Sequence, residues 1–306
     1  MSIAILVILI MQIAIPALLL FWFWHGRGYD RLEMIINALF INNLVYFFFH
    51  AGRWDYCGYY LRYQLFVLMG ICLIRNGLIF RRLKWWRGKG FYRSVLLAMK
   101  IFVACLFGLI DYLMQQGLNQ PLITAEVSFP LHNGWYYTAQ GGDFPLVNFH
   151  NTNPAQRYAI DLVKLNKMGF RASGLRPSKL TKSEIFKDTV FSPCQGRVML
   201  VENSLKNIRV DSLDEDHPSG NNVVIRFKRG YLMLAHLDSG SVIVKVGDSL
   251  ITGQRIALVG NSGSSSEPHL KVFAVQGNSP EAILHGEGLA LTFKGLFPGR
   301  NQTIKN

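Results

Sequence analysis

Cysteine, charge and low-complexity sequence are all scarce in this chain. Four cysteines in 306 residues do not make a disulfide framework. Only Cys194 lies beyond residue 115, so no disulfide can close within that part, and a small buried hydrophobe is its expected role. Charged residues are 17% of the chain, fewer than a soluble basic protein usually carries. With half of the residues hydrophobic, disorder is excluded. No long linker, low-complexity tract or clear repeat interrupts the sequence. Acids are scarcer than bases, 19 against 32, which leaves a net charge of +13. A nucleic-acid surface is the first reading of such a balance, and its distribution argues against it. Residues 1–115 hold 12 Lys+Arg and 4 Asp+Glu, residues 116–306 hold 20 and 15. Seven bases (Arg75, Arg81, Arg82, Lys84, Arg87, Lys89 and Arg93) and no acid fall in one stretch of nineteen residues.

Long apolar runs flank that stretch. Ile3–Trp24 is uncharged, and at 1.5 Å per residue it matches the roughly 30 Å hydrocarbon core of a bilayer. It lacks the basic start of a cleaved signal, and Phe21-Trp22-Phe23-Trp24 occupies the place of small cleavage-site residues. An aromatic run of this kind suits a membrane interface. Further spans are expected at Met34–His50, Tyr59–Phe80 and Ser94–Met114, each helical because backbone groups in lipid must be paired. The third could instead be re-entrant or interfacial. The excess of bases places Arg75–Arg93 in the cytoplasm. The loop with Arg27 and Arg31 then lies inside, the loop with Arg53 and Asp55 outside. The N-terminus and everything beyond about residue 116 also lie outside. Lys100 and Asp111 share a helix face. An ion path or a signalling contact would need such a pair, but snorkelling to an interface is the preferred reading.

Beyond Leu122 the pattern changes to short apolar strands between Gly, Asn, Asp, Ser and Pro turns. Gly196–Val201, Asn222–Phe227, Tyr231–Leu237, Ser241–Val246 and Arg255–Val259 read as strands of an all-β domain. Lys182–Asp188 reads as a helix. The expected architecture is a four-helix transmembrane bundle (1–115) followed by an exported all-β domain (116–306).

Three segments carry chemistry. Gln156-Arg157-Tyr158-Ala159-Ile160-Asp161 sets a carboxylate on a strand. Leu234-Ala235-His236-Leu237 sets a histidine on another. A Gly/Ser loop from Asn261 to Ser266 leads through Glu267-Pro268-His269-Leu270-Lys271 into a third, where His269 and Lys271 share a face. Between them, Val244-Lys245-Val246-Gly247-Asp248 and Thr252-Gly253-Gln254-Arg255-Ile256 read as a tight turn joining two strands.

With Phe191-Ser192-Pro193 and Gly196-Arg197-Val198, these segments resemble the LytM/lysostaphin-type zinc endopeptidases, which cut peptide cross-bridges in bacterial peptidoglycan. The resemblance spans about residues 130–280 and leaves the apolar runs outside. It implies a LytM-like peptidase domain at the bacterial cell wall, carried by an inner or plasma membrane, with its β domain periplasmic or extracellular. It assigns Asp161 to a zinc-ligand position and His236 and His269 to the histidines that polarise water. Zinc chemistry of this type needs three protein ligands and an open position.

Two ligand positions depart from the pattern. Arg157 and Lys271 stand where the family has histidines. Arginine does not lose its proton, and lysine does so only after a large pKa depression. Two unit charges at about 4 Å repel by about 4 kcal/mol at an effective dielectric of 20, and zinc is doubly charged. A degenerate site is therefore expected, holding no cofactor. With Asp161, the two cations could form a positive cluster that binds an acidic group. The alternative is an active zinc peptidase with rearranged ligands: His150, Asp161 and either His236 or His269, with His150 brought in by a hairpin. Gly134-Trp135-Tyr136-Tyr137 and Gln140-Gly141-Gly142 resemble the lead-in of a divergent branch. A third reading is a hybrid-motif adaptor of a membrane complex, suggested by Val-x-Val-Gly-Asp and Gly-Gln but lacking a lysine at the hairpin tip. Expected partners are cell-wall peptides or peptidoglycan, membrane lipid and, since four helices exceed an anchor's needs, a protein in the membrane. Nucleic acid is not expected, because the densest basic block adjoins the spans.

Overall fold

The computed structural model describes residues 3–26, 29–85, 90–175, 177–210 and 212–306, with side chains from residue 6 onward. Arg27, Arg87 and Lys89 lie outside the described residues. Two compact units divide the chain, Met1–Gln115 and Gln116–Asn306.

The first unit is helical, and it contains four helices long and apolar enough to cross a membrane. The first is built from α1 (Ile3–Leu9), a π-helical turn (Ile10–Ala14) and α2 (Ile15–His25). The widened turn carries Gln12, which is buried. Its amide accepts from the Arg53 backbone N–H at 2.9 Å and donates to the Arg53 carbonyl at 3.2 Å. A buried amide in an apolar helix needs such partners.

The second helix, α3 (Arg31–Ala51), starts three residues before the apolar run at Met34. Polar capping sets that start: the Asp30 carboxylate accepts from the Glu33 N–H at 2.9 Å, and Glu33 reaches back to the Asp30 N–H. The others are α4 (Leu61–Phe80) and α5 (Phe91–Leu118). Lys100 donates to Asn37 at 3.0 Å and lies 4.8 Å from the Trp22 ring centroid, and Asp111 is buried.

The second unit is β-rich. Its strands are β1 (Thr124–Val127), β2 (Trp135–Gln140), β3 (Ile160–Leu165), β4 (Thr189–Phe191), β5 (Gly196–Glu202) and β6 (Asn221–Phe227). They continue with β7 (Gly230–Leu237), β8 (Ser249–Leu250), β9 (Arg255–Leu258), β10 (Leu270–Gln276), β11 (Glu287–Phe293) and β12 (Thr303–Lys305). The main sheet runs β12-β2-β3-β10-β7-β6-β5-β8, with β11 on β10 and β1 parallel to β11. Strands β4 and β9 form a separate pair.

Alternation along the central strands sorts side chains to two faces. Ile160, Leu162, Leu234, Leu270 and Val272 enter the main core together with Val190 and Ile256. Ala159, Ala235, Phe273 and Val275 enter a smaller cluster on the opposite face. Asp161 and Lys271 share that second face.

Two expected elements are absent. Ser241–Val246 contains no strand. Its neighbours give it single bonds rather than a ladder: Ile243 N–H to the Ile256 carbonyl, and Val242 N–H to the Asn203 side chain. Lys182–Asp188 is not helical beyond a short 3-10 turn at Leu180–Lys182. Ser183 is extended there, and Lys187 adopts a φ of 67°, which ends any helix.

Candidate functional site: a lysine-filled charge cluster

The site lies on the second face, where β3, β10 and β7 run side by side. Lys271 on β10 is the register partner of both Asp161 on β3 and Ala235 on β7. The sheet itself therefore sets an ammonium beside a carboxylate.

His150 comes from the loop ahead of β3. Asn148, fully buried, shapes that loop. Its Nδ2 faces the carbonyls of Gly142, Arg157 and Ala159 at 2.9, 3.1 and 3.1 Å. Its Oδ1 accepts from the His150 N–H at 3.2 Å. The imidazole, with Phe149 packed 4.0 Å away centroid to centroid, reaches Asp161. His150 Nε2 lies 3.1 and 3.0 Å from the two carboxylate oxygens.

Lys271 closes the chain of bonds. Its Nζ donates to Gln156 Oε1 at 2.6 Å and lies 3.3 Å from His150 Nδ1. An ammonium only donates, so Nδ1 is the acceptor and Nε2 carries the proton given to Asp161. Burial pushes His150 below its ordinary value, outweighing Asp161, which keeps the ring neutral, as this wiring needs. Burial opposes ionisation of Asp161, but His150, His269 and Lys271 together hold its carboxyl well below the usual range. Lys271 is lowered by burial and partly restored by Asp161.

Two more histidines face the cluster. His236 breaks the alternation of β7, with a φ of 63° at a shift of the β6–β7 register. Such a bulge re-aims a side chain. Its Nδ1 is 2.8 Å from the Ser262 carbonyl and must carry a proton there, leaving Nε2 an open acceptor. Burial holds His236 well below its ordinary value. His269 is set the same way, Nδ1 against the Glu267 carbonyl at 2.8 Å. Its Nε2 lies 3.7 Å from Asp161, and its ring centroid lies 4.6 Å from that of His236. Arg171, paired with Glu267, braces the loop.

Arg157 is not part of this cluster. It pairs with Asp143 through two bonds of 2.6 and 2.8 Å, and its side chain is half exposed. The expected positive excess is therefore absent. Asp161 and Lys271 balance, and Asp143 takes Arg157. His150 stands beside Asp161 instead. The sequence assigns no role to Asn148, Gln156 or Ser262, which hold His150, Lys271 and His236. The one signal was the proximity of Asn148 and Gln156 to His150 and Arg157.

The donor set does not fit zinc. Among the described residues, no group of three His, Cys, Asp or Glu side chains is arranged to hold a metal. An ammonium bonded to two acceptors stands among them.

A family model described as Peptidase family M23 matches residues 183–281, a span that includes His236, His269 and Lys271 but not His150 or Asp161. No curated protein matches the chain. Among solved structures, a zinc-containing peptidase from Vibrio cholerae is similar, at 20% identity and a TM-score of 0.31. The similarity covers 49% of this chain and 36% of that one, so this chain spans about a third of that relative. A mutant catalytic domain of the prophage-encoded M23 protein EnpA from Enterococcus faecalis is similar at 19% identity and a TM-score of 0.28, covering 43% and 72%. The catalytic domain of lysostaphin from Staphylococcus simulans is similar at 20% and 0.26, covering 40% and 71%. After four apolar helices, this chain carries a peptidase family M23 domain over residues 183–281.

Proposed function

We propose that this chain is a membrane-anchored M23-fold protein that binds peptides of the bacterial cell wall without hydrolysing them. The β unit would face the periplasm or the exterior, and binding would serve to recruit or regulate a wall enzyme or a membrane complex. One observation carries the reading: Lys271 donates to Gln156 and His150 where the family resemblance calls for a histidine ligand. Its charge balances Asp161 as a bound cation would, and every polar atom it meets is already satisfied. The family match also covers Val244–Ile256, the segment on which the adaptor reading rested.

A second reading, an active peptidase, is favoured by the approach of His150 and His269 to Asp161 at 3.0 and 3.7 Å. Full-length protein purified in detergent separates the two. The binding reading expects substoichiometric zinc by elemental analysis. It also expects co-sedimentation with peptidoglycan and no release of soluble peptides. One zinc per chain, with peptide release abolished by His269→Ala, establishes the peptidase instead. Failure to co-sediment defeats the binding role.

A further inference from the structure

We infer that the loop at residues 143–151 lies in the lipid headgroup layer and inserts Leu146 and Phe149 there, which sets His150, the next residue, at the membrane surface. The insertion rests on α5 as a membrane span. With the binding role proposed above, it also makes the ligand a peptide presented at the membrane rather than deep in the wall, and that extension rests on the binding role.

The end of α5 carries this. The apolar run expected on that helix ends at Met114, and Gly117 follows by three residues, about 4.5 Å of helix rise. The headgroup layer adds about 5–7 Å on each side of the hydrocarbon core, so Gly117 falls within it. Exposed tyrosines mark this end of the spans, Tyr60 and Tyr63 at the start of α4 and Tyr112 on α5, and tyrosine favours the membrane interface. The loop joins α5 at Gly117. The Gly117 carbonyl accepts from the Asp143 N–H at 2.6 Å. A Cβ at Gly117 would lie 2.4 Å from that of Phe144, so only glycine lets the loop pack this closely. The backbone of the loop is pinned. Arg300 donates to the Leu146 carbonyl at 3.1 Å, Gln140 accepts from the Phe149 N–H at 3.3 Å, and Asn148 clamps the turn between them. Two large apolar side chains are left out: Leu146 is 42% exposed and Phe149 58%. An aliphatic and an aromatic side chain held out at headgroup height are what a segment uses to insert into an interface. The charges beside them do not oppose it, because Asp143 and Arg157 pair.

The test uses the full-length protein in phosphatidylcholine nanodiscs that include a photoactivatable phosphatidylcholine, its diazirine near the top of the acyl chain. Crosslinked peptides are mapped by mass spectrometry after illumination. Three exposed apolar residues elsewhere serve as references: Met168 beyond the far end of β3, Ile243, and Ile251 beside β8 at the edge of the sheet. Burying one large apolar side chain is worth a factor of about ten or more, so peptides from 143–151 should capture lipid at least about tenfold more than the reference peptides. Leu146→Asp/Phe149→Asp should lose that excess and leave capture by α5 unchanged, which shows that the span is still in the bilayer. Limited proteolysis reports whether the variant folds, and the wild-type comparison stands without it. Capture at 143–151 no greater than at the references overturns the inference, as does unchanged capture in a folded double variant. Capture that appears only when phosphatidylglycerol is added also overturns it, because charge and not the apolar pair would then make the contact. Failure to co-sediment with peptidoglycan removes the proposed binding role alone and leaves lipid capture as its own result.

Discussion

Lys271 and Asp161 stand opposite each other as antiparallel partners on β10 and β3, and His150 connects them edge to edge. The bonds run in one direction, from ammonium to Nδ1 and from Nε2 to carboxylate. Removing the ring leaves a buried carboxylate without its donor. His150→Ala is expected to destabilise the β unit by about 2–3 kcal/mol, the cost of leaving a buried charged group unsatisfied. Urea unfolding of the full-length protein, followed by protease resistance of the β unit, measures this. A loss below about 0.5 kcal/mol would show that the chain of bonds does not form.

Asn148 sets where His150 lies. Its carboxamide meets three carbonyls and one N–H from a loop that has no sheet partners of its own. Asn148→Ala is expected to cost about 2 kcal/mol, as buried backbone groups lose their partner. Hydrogen exchange should accelerate in peptides spanning residues 148–159 and remain slow in β6 and β7. Uniform acceleration across the unit would mean that the clamp is global rather than local.

Much of this architecture was legible from apolar patterning, and the exceptions have physical causes. The four apolar runs became four helices because lipid-length hydrophobicity is a strong signal. β5, β6 and β7 were read correctly from short β-branched runs between turn residues. Ser241–Val246 has the same composition but gains only isolated bonds, which a local pattern cannot anticipate. At the site, sequence spacing could bring Asp161, His236, His269 and Lys271 into view. It could not show that Arg157 turns outward to Asp143, fourteen residues away, and it offered His150 beside Asp161 only as the hairpin alternative. Those outcomes depend on the fold of the 148–159 loop, which Asn148 sets through its own carboxamide.

The orientation of His236 depends on two interlocked glycines. Gly220 has a φ of 57°, and a Cβ there would lie 2.3 Å from the Ser262 carbonyl oxygen, the atom that accepts from His236. A Cβ added at Gly263, at φ 79°, would lie just as close to Gly220 N. Gly220→Ala therefore meets both an unfavourable backbone region and a backbone clash, and about 2 kcal/mol or more of stability should be lost. Thermal unfolding of the full-length protein checks it. A change below about 0.5 kcal/mol would mean that the close approach is relieved at little cost.

Burial pushes the Cys194 thiol up to about 12. Since the thiolate is the reactive form, alkylation of Cys194 at pH 8 should be at least about 100-fold slower in the native protein than in the unfolded one. The rate should rise with pH well beyond the range in which a free thiol has already levelled off. Mass spectrometry of the peptide containing Cys194 reads the rate. Native labelling at the unfolded rate would place the thiol in solvent.

The orientation proposed for the chain rests on the bases between α4 and α5, which should be retained in the cytoplasm. Exposed trypsin sites are available in both units: Arg81, Arg82 and Lys84 in that loop, and Lys206 and Arg209 in the β unit. In spheroplasts, added trypsin is expected to cut after Lys206 or Arg209 and to spare the Arg81–Lys84 segment, with inside-out vesicles giving the reverse. The reverse pattern in spheroplasts would put the β unit in the cytoplasm, where no cell-wall peptide could reach the cluster around Lys271. The binding function would then fail on location alone, whatever the site's chemistry.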